Sequence, residues 1–140
     1  MSKPSARSSL YRLIQAGQLA HKALLVPLLE RGLEPGDDAV LFELGRGGVT
    51  EAELETRLGF AGEALDKRLA RLSERELVTR QAVGPELEQG LALTERGERI
   101  RVVLAGNWEE LENALLGELG KKERKGLERV LKRFVDLLRL

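Results

Sequence analysis

The sequence predicts a mainly α fold in which a helix-turn-helix is followed by a small β-hairpin and flanked at both ends by amphipathic helices. Three observations carry this. Two helical segments, "TEAELETRLG" and "EALDKRLARLSERELV", follow one another across a short glycine-containing turn, the second longer than the first. Two strand-like stretches, "LVTRQAV" and "GLALT", flank Gly84, Pro85 and Gly90, residue types that let a chain reverse. At both ends of the chain, leucines and other apolar residues recur at helical spacing.

Length and composition set the bounds. A chain of 140 residues fits one compact domain or one domain with an oligomerisation arm. The 23 basic and 23 acidic side chains cancel, so any electrostatic argument about partners must be local. There is no cysteine, which excludes disulfides and thiolate metal sites, and there is one histidine. No metal-ligand spacing is present, no cofactor is implied, and the usual nucleophile and base arrangements of an enzyme cannot be assembled. "MSKPSARSSL" has no apolar core of a signal peptide, and no run of 18 apolar residues occurs, so a cytoplasmic protein without a membrane partner is expected.

Residues 1–9 read as a flexible tail, in which Lys3 and Arg7, with Arg12 just beyond, offer a basic arm. "YRLIQAGQLAHKALLVPLLERG" places Leu10, Ile14, Leu24, Leu25, Leu28 and Leu29 on a long helix, interrupted or kinked near Pro27. A second helix follows "EPGDDAVLFELGRGG", with Pro35 near its start, Asp37 and Asp38 at its positive end and Gly45 closing it. "GRGG" follows no strand and lacks a Lys-Ser/Thr, so it reads as a helix stop and turn, not a phosphate cradle. Thr50 and Glu53 form a reciprocal capping box for the first helix of the motif. In the second, Leu65, Leu69 and Leu72 form one stripe and take Leu58 as partner from the helix before. After the hairpin, Thr94 caps a helix from about Glu95 to Leu116, with Ile100, Val103, Leu104, Trp108, Leu111 and Leu115 on its apolar face and Gly106 and Asn107 as the place for a bend. "GKKERKGLERVLKRFVDLLRL" ends the chain as an amphipathic helix, with Leu127, Val130, Leu131, Phe134, Leu137 and Leu138 on one side.

The order and the residues together resemble the MarR family of winged helix-turn-helix transcriptional regulators, a prokaryotic family, over most of the chain. The most specific pieces are "ELxxRLG" at Glu53 to Gly59, "RLSERELVTR" at Arg71 to Arg80 and "LTERG" at Leu93 to Gly97, and Glu123 matches a glutamate near the start of the family's last helix. The resemblance implies a homodimer: residues 10–32 and 100–140 form the dimerisation region, and residues 35–99 form a winged domain that presents its second motif helix to the major groove of double-stranded DNA. The dimer interface is expected at Leu10, Ile14, Leu127, Val130, Leu131, Phe134, Leu137 and Leu138. Chemistry supports a dimer independently, because one small winged domain has too little surface to cover apolar helices from both ends of its chain. Folding back as core is the alternative.

The DNA face departs from the family pattern. With Leu65, Leu69 and Leu72 inward, the helical period turns Glu63, Lys67, Ala70 and Glu74 outward, with Asp66 and Arg71 at the flanks. The N-terminal half of this helix therefore offers Glu63, Ala64, Asp66 and Lys67, where the family commonly has small hydroxyl and basic residues. A carboxylate can accept from the cytosine amino group but repels phosphate, so Lys67 and Arg71 are the side chains best suited to DNA. The wing tip "GPELEQG" matches the family's length but has no residue for its minor-groove arginine. The nearest basic groups are Arg80 at the base and Arg96, Arg99 and Arg101 in the following helix, and Thr79, Gln81 and Gln89 offer polar contacts. From Glu51 to Arg101 eleven acids stand against nine bases, so weak DNA affinity or reliance on a few contacts is expected.

Two functional classes follow: a DNA-binding regulator whose wing makes little contact, and a winged-helix protein that has lost DNA affinity and acts through protein contacts. The basic surplus of the last helix, from Lys121 to Arg139, reads as a solvated face or as the docking site of an acidic partner. His21 and Trp108 lie on helices that in the family border a crevice for small, often aromatic, acids. A surface or interface histidine and a core tryptophan are the alternatives.

Overall fold

The computed structural model describes residues 8–45, 47–59 and 62–139. Its elements are α1 (Ser9–Glu30), α2 (Asp37–Leu44), β1 (Val49–Thr50), α3 (Glu51–Leu58), α4 (Glu63–Glu74), β2 (Val78–Val83), β3 (Glu88–Leu93), α5 (Glu95–Leu116) and α6 (Lys121–Leu138). Among the described residues no helix is long and apolar enough to cross a membrane. Most of the tail predicted over residues 1–9, with Lys3 and Arg7, lies outside the described residues, as do Arg46 of "GRGG" and Phe60 and Ala61 of the motif turn. Arg12 belongs to the first turn of α1, which Ser8 caps by accepting from the Tyr11 amide at 3.0 Å.

The core forms where short amphipathic helices can face one another across the sheet. Leu65, Leu69 and Leu72 of α4 meet Val40, Leu41 and Leu44 of α2, Leu54 of α3, Leu91 of β3 and Leu104 of α5 in one cluster, with Leu58 and Ile100 packed against it. The sheet is antiparallel in the order β1-β3-β2. The strand β1 was not expected from sequence: a two-residue strand is too short to show alternation, and it exists because Val49 and Thr50 pair with Leu91 and Gly90. Gly90 is required there, since a Cβ would come within 2.5 Å of the Val49 carbonyl oxygen.

Three local expectations are corrected. Pro27 does not interrupt α1, which is helical through to Glu30; the Arg31 guanidinium donates to the Pro27 carbonyl at 3.0 Å one turn on. The Thr50 cap is present, with Oγ1 accepting from the Glu53 amide at 3.1 Å. Its reciprocal half differs, because the Glu53 carboxylate accepts from the Thr50 hydroxyl at 3.2 Å. The wing is longer than "GLALT" suggests: β3 begins at Glu88, so Glu88 and Gln89 stand on the strand and the turn is Gly84 to Leu87. The Leu87 amide closes it on the Gly84 carbonyl at 3.2 Å, with Leu87 at φ +53°.

"LTERG" is explained by a junction. Thr94 Oγ1 accepts from the Gly97 amide at 3.0 Å and donates to the Glu76 carbonyl at 2.6 Å, binding the exit of the wing to the end of α4. A Cβ on Gly97 would lie 2.0 Å from the Leu77 carbonyl oxygen, so only glycine lets α5 start against the beginning of β2. At the other end of the chain, α6 has no buried residue; Glu123 accepts from the Gly120 amide at its start, and Arg139 donates to the Arg57 carbonyl at 2.8 Å at its end.

Candidate nucleic-acid interface and adjoining cavity

The helix α4 divides its surface sharply. Leu65, Leu69 and Leu72 are buried, while Glu63, Ala64, Asp66, Lys67, Ala70 and Glu74 are exposed, as the 3.6-residue period demands. Lys67 lies one turn from Glu63, its ammonium 3.4 Å from the carboxylate, and both are largely in solvent. Such a pair is weak and can be replaced by contacts to a ligand.

The arginines of α4 behave differently from expectation. Arg71, expected at the flank of the reading face, turns back toward α2: it donates to Asp37 at 2.6 Å and to Glu34 at 2.9 Å. Arg68 donates to Asp37 and to the Pro35 carbonyl, and Arg75 donates to the Arg31 carbonyl at 3.3 Å. The cause is Asp37, a fully buried carboxylate whose second oxygen also accepts from the Glu34 amide at 2.8 Å. A buried charge of this kind needs partners, and the two arginines supply them. The sequence places Asp37 and Asp38 at the helix's positive end; that they are buried, and that α4 supplies the partners of Asp37, depends on tertiary contacts between residues more than thirty positions apart.

The wing adds further acid. Glu51, at the start of α3, lies 3.8 Å from Arg80 at the base of β2. A hydrogen bond shared with Asp66 of α4 is the chief cause that raises the Glu51 pKa above the usual carboxylate value, with partial burial adding to it and Arg80 opposing. A cleft of about 320 Å³ between the wing and the start of α3 is edged by Glu53, Glu86 and Glu88. Gln81 and Gln89 are exposed on the hairpin, and Leu87 stands out at its tip. Among the described residues no group of three metal-ligating side chains could hold a metal ion.

His21 and Trp108 share a cavity. It measures about 570 Å³ and is lined by α1, α5 and α6, chiefly by Leu13, Gly17, Leu24, Leu111, Leu115 and Leu131 in addition to those two. Trp108 is neither a core residue nor free: it is 43% exposed, its ring meets Phe42 edge-on at 5.2 Å, and its Nε1 donates to Asp38 at 3.1 Å. A second apolar groove, about 580 Å³, lies between the start of α1 and the second half of α6. It gathers Leu10, Leu127, Val130, Leu131, Phe134, Leu137 and Leu138, the residues predicted for an interface, with one exception. Ile14 lies instead beside Tyr11, Gln18 and Leu19 on another side of α1.

No family model matches the chain, and no curated protein matches it in sequence. Solved structures do match in fold. A transcriptional regulator of the MarR family from Rhodococcus sp. RHA1 superposes with a TM-score of 0.80 at 19% identity, covering 95% of this chain and 97% of its own. MepR of S. aureus, in its DNA-binding conformation, gives 0.83 at 16% identity over 94% and 98% of the two chains. NadR in complex with 4-hydroxyphenylacetate gives 0.79 at 20% identity over 96% and 97%. The chain therefore has the winged helix-turn-helix fold seen in MarR-family regulators.

Proposed function

We propose that this protein is a dimeric DNA-binding transcriptional regulator of the MarR type, responsive to a small aromatic acid. The observation that carries the reading is the placement of α4: its N-terminal half is exposed beside the wing, while its arginines brace it from behind. A helix so presented can lie in the major groove with its first residues at base edges. Glu63 then accepts from a cytosine amino group, Ala64 meets a thymine methyl and Lys67 donates to guanine or phosphate. Asp66, Arg80, Gln81 and Gln89 flank that contact, and Arg71 serves it indirectly by holding the helix.

The dimer is supported by the groove between α1 and α6, whose walls are mainly leucine, valine and phenylalanine, with Ser9 and Arg12 at its edge and almost no polar surface. Residues 10–32 and 100–140 then form the dimerisation region and residues 35–99 the winged domain. The cavity supports the ligand: its walls are apolar, one imidazole at His21 can receive a carboxylate, and Trp108 offers a face for stacking. MepR and NadR, respectively in a DNA-binding conformation and bound to an aromatic acid, are consistent with both activities in this fold.

The test is anisotropy of duplex DNA, random in sequence or taken from upstream of the protein's own gene, at low and moderate salt, with the mass in solution recorded in the same buffers. A dimer that prefers the upstream duplex and weakens with salt supports the reading. A dimer that binds neither duplex at low salt favours a second reading, a winged-helix protein acting through protein contacts. The acidic cleft and exposed Leu87 at the wing motivate it. Saturable quenching of the single tryptophan by 4-hydroxyphenylacetate, abolished in His21→Ala, tests the cavity.

A further inference from the structure

Two consecutive buried carboxylates begin α2, and each is committed to a different working part of the molecule. Successive residues of a helix point about 100° apart. Asp37 thus faces α4, where it holds Arg68 and Arg71. Asp38 faces α5, where one oxygen accepts from Trp108 Nε1 at 3.1 Å and the other from the Ala39 amide at 3.0 Å. We propose that the Asp37–Asp38 pair couples the position of the Trp108 indole in the cavity to the position of the recognition helix α4, a link that rests on the regulator reading above.

Three features make the link stiff. Asp37 is fully buried and its two oxygens receive the Glu34 amide and two guanidinium groups, so it cannot move without carrying Arg68 and Arg71. The rest of the helix is held by Val40, Leu41 and Leu44, buried in the core, so any movement is confined to its first turn. Trp108 touches α2 twice, at Asp38 through its Nε1 and at Phe42 through its ring.

The same geometry makes the link responsive. Trp108 is only half covered and lines the cavity, so a planar molecule bound there meets the one indole that satisfies Asp38. Withdrawing that donor leaves a buried carboxylate oxygen without its partner, which the first turn of α2 must relieve by shifting. Because Asp37 belongs to that turn, the shift reaches α4. Coupling of this kind is reciprocal: whatever moves α4 must move the indole.

Reciprocity gives a test that needs neither DNA nor ligand. Trp108 is the sole tryptophan, so its indole N–H gives one resonance in a nitrogen-15 correlation spectrum. Replacing Arg68 and Arg71 by glutamine, singly, is expected to move that resonance by more than its linewidth. Arg75→Ala, which removes a contact to the α1 end only, should leave it in place. If the glutamine variants unfold, Arg71→Lys, which keeps the charge but not the fork, takes their place. An unmoved resonance in folded variants overturns the link.

The second arm reads function. Trp108→Phe deletes the donor and keeps an aromatic ring; it should weaken binding to duplex DNA about fivefold or more, the lower end of ordinary allosteric coupling. Phe42→Leu, which loosens the same ring without touching the hydrogen bond, should weaken it less than Trp108→Phe does. If the protein binds DNA and Trp108→Phe leaves its affinity unchanged, the pair is not a regulatory link. If wild-type protein binds no DNA, the regulator reading fails and the resonance alone decides whether the link exists.

Discussion

The helices α4 and α6 carry similar leucine-rich stripes and meet opposite fates. In α4, Leu65, Leu69 and Leu72 are at most 1% exposed, closed in by α2, α3, α5 and the sheet. In α6, Phe134 is 39% exposed and Leu137 55%, and no residue of the helix is buried. The stripe alone therefore does not decide burial; the number of elements that surround it does. The winged part, with Leu28 of α1 and Leu104 of α5, encloses a core, whereas the groove between α1 and α6 leaves an apolar surface exposed.

The largest effect expected on the winged side comes from Asp37→Ala. It leaves two guanidinium groups partly buried without their shared carboxylate, and removing one partner of such a cluster costs about 3–5 kcal/mol. Urea unfolding would measure it; a loss within the range of an ordinary surface substitution would show that the cluster contributes little and that the core alone holds α4. On the terminal side, Phe134→Glu should convert a dimer to a monomer while the near-ultraviolet signal of the winged core persists, because burying a phenylalanine at an interface is worth about 1.5–3 kcal/mol per copy. Sedimentation reads the mass. A dimer that survives the change would place the interface elsewhere and remove the contrast between the two regions.

Within the winged part, the wing and α4 can be separated by charge. Glu86→Arg combined with Glu88→Arg should strengthen duplex binding and steepen its dependence on log salt by roughly one to two, since each new phosphate contact adds about 0.9. No change would put the wing tip away from the backbone. A smaller effect follows from Glu51. Its pKa is raised mainly by the hydrogen bond shared with Asp66, so the folded protein binds this proton more tightly than the unfolded chain. The resulting stability is fully present below the ordinary value of 4.5 and is lost as pH rises through the raised value. Protonation also removes a negative charge beside Asp66 on the proposed DNA face, so duplex affinity should rise as pH falls through the same window. Glu51→Gln should flatten that part of the profile.

The fold was legible because its signals are local. The cap at Thr50, the 3.6-residue stripe of α4, the turn residues around Gly84 and the start of α5 at Glu95 each involve neighbours within a few positions. What was not legible joins distant residues. Arg71 was expected outward because its place on the helical wheel is at the edge of the reading face, and only the burial of Asp37 draws it back. The strand β1 exists because β3 is beside it. The Asp38 contact to Trp108 spans seventy positions and leaves no periodic trace.

The smallest expected effect concerns the junction between the two parts of the winged domain. The helix α4 ends with Glu76 at φ +61°, the Leu77 amide returning to the Leu72 carbonyl at 3.0 Å and the Glu76 amide to Ser73 at 3.0 Å. This is the left-handed helix stop that glycine normally occupies, because a Cβ there crowds the following carbonyl. Glu76 is exposed and its side chain makes none of the bonds that define the turn; the Thr94 contact uses its backbone carbonyl. Glu76→Gly should therefore raise stability by about 0.5–1 kcal/mol, relief of the left-handed strain exceeding the added freedom of the unfolded chain. It also removes one acid from the end of α4 nearest the wing. Thermal unfolding would read the first consequence. An unchanged or lower midpoint would mean that the glutamate side chain contributes at this junction, and that the strain is part of how the wing is aimed.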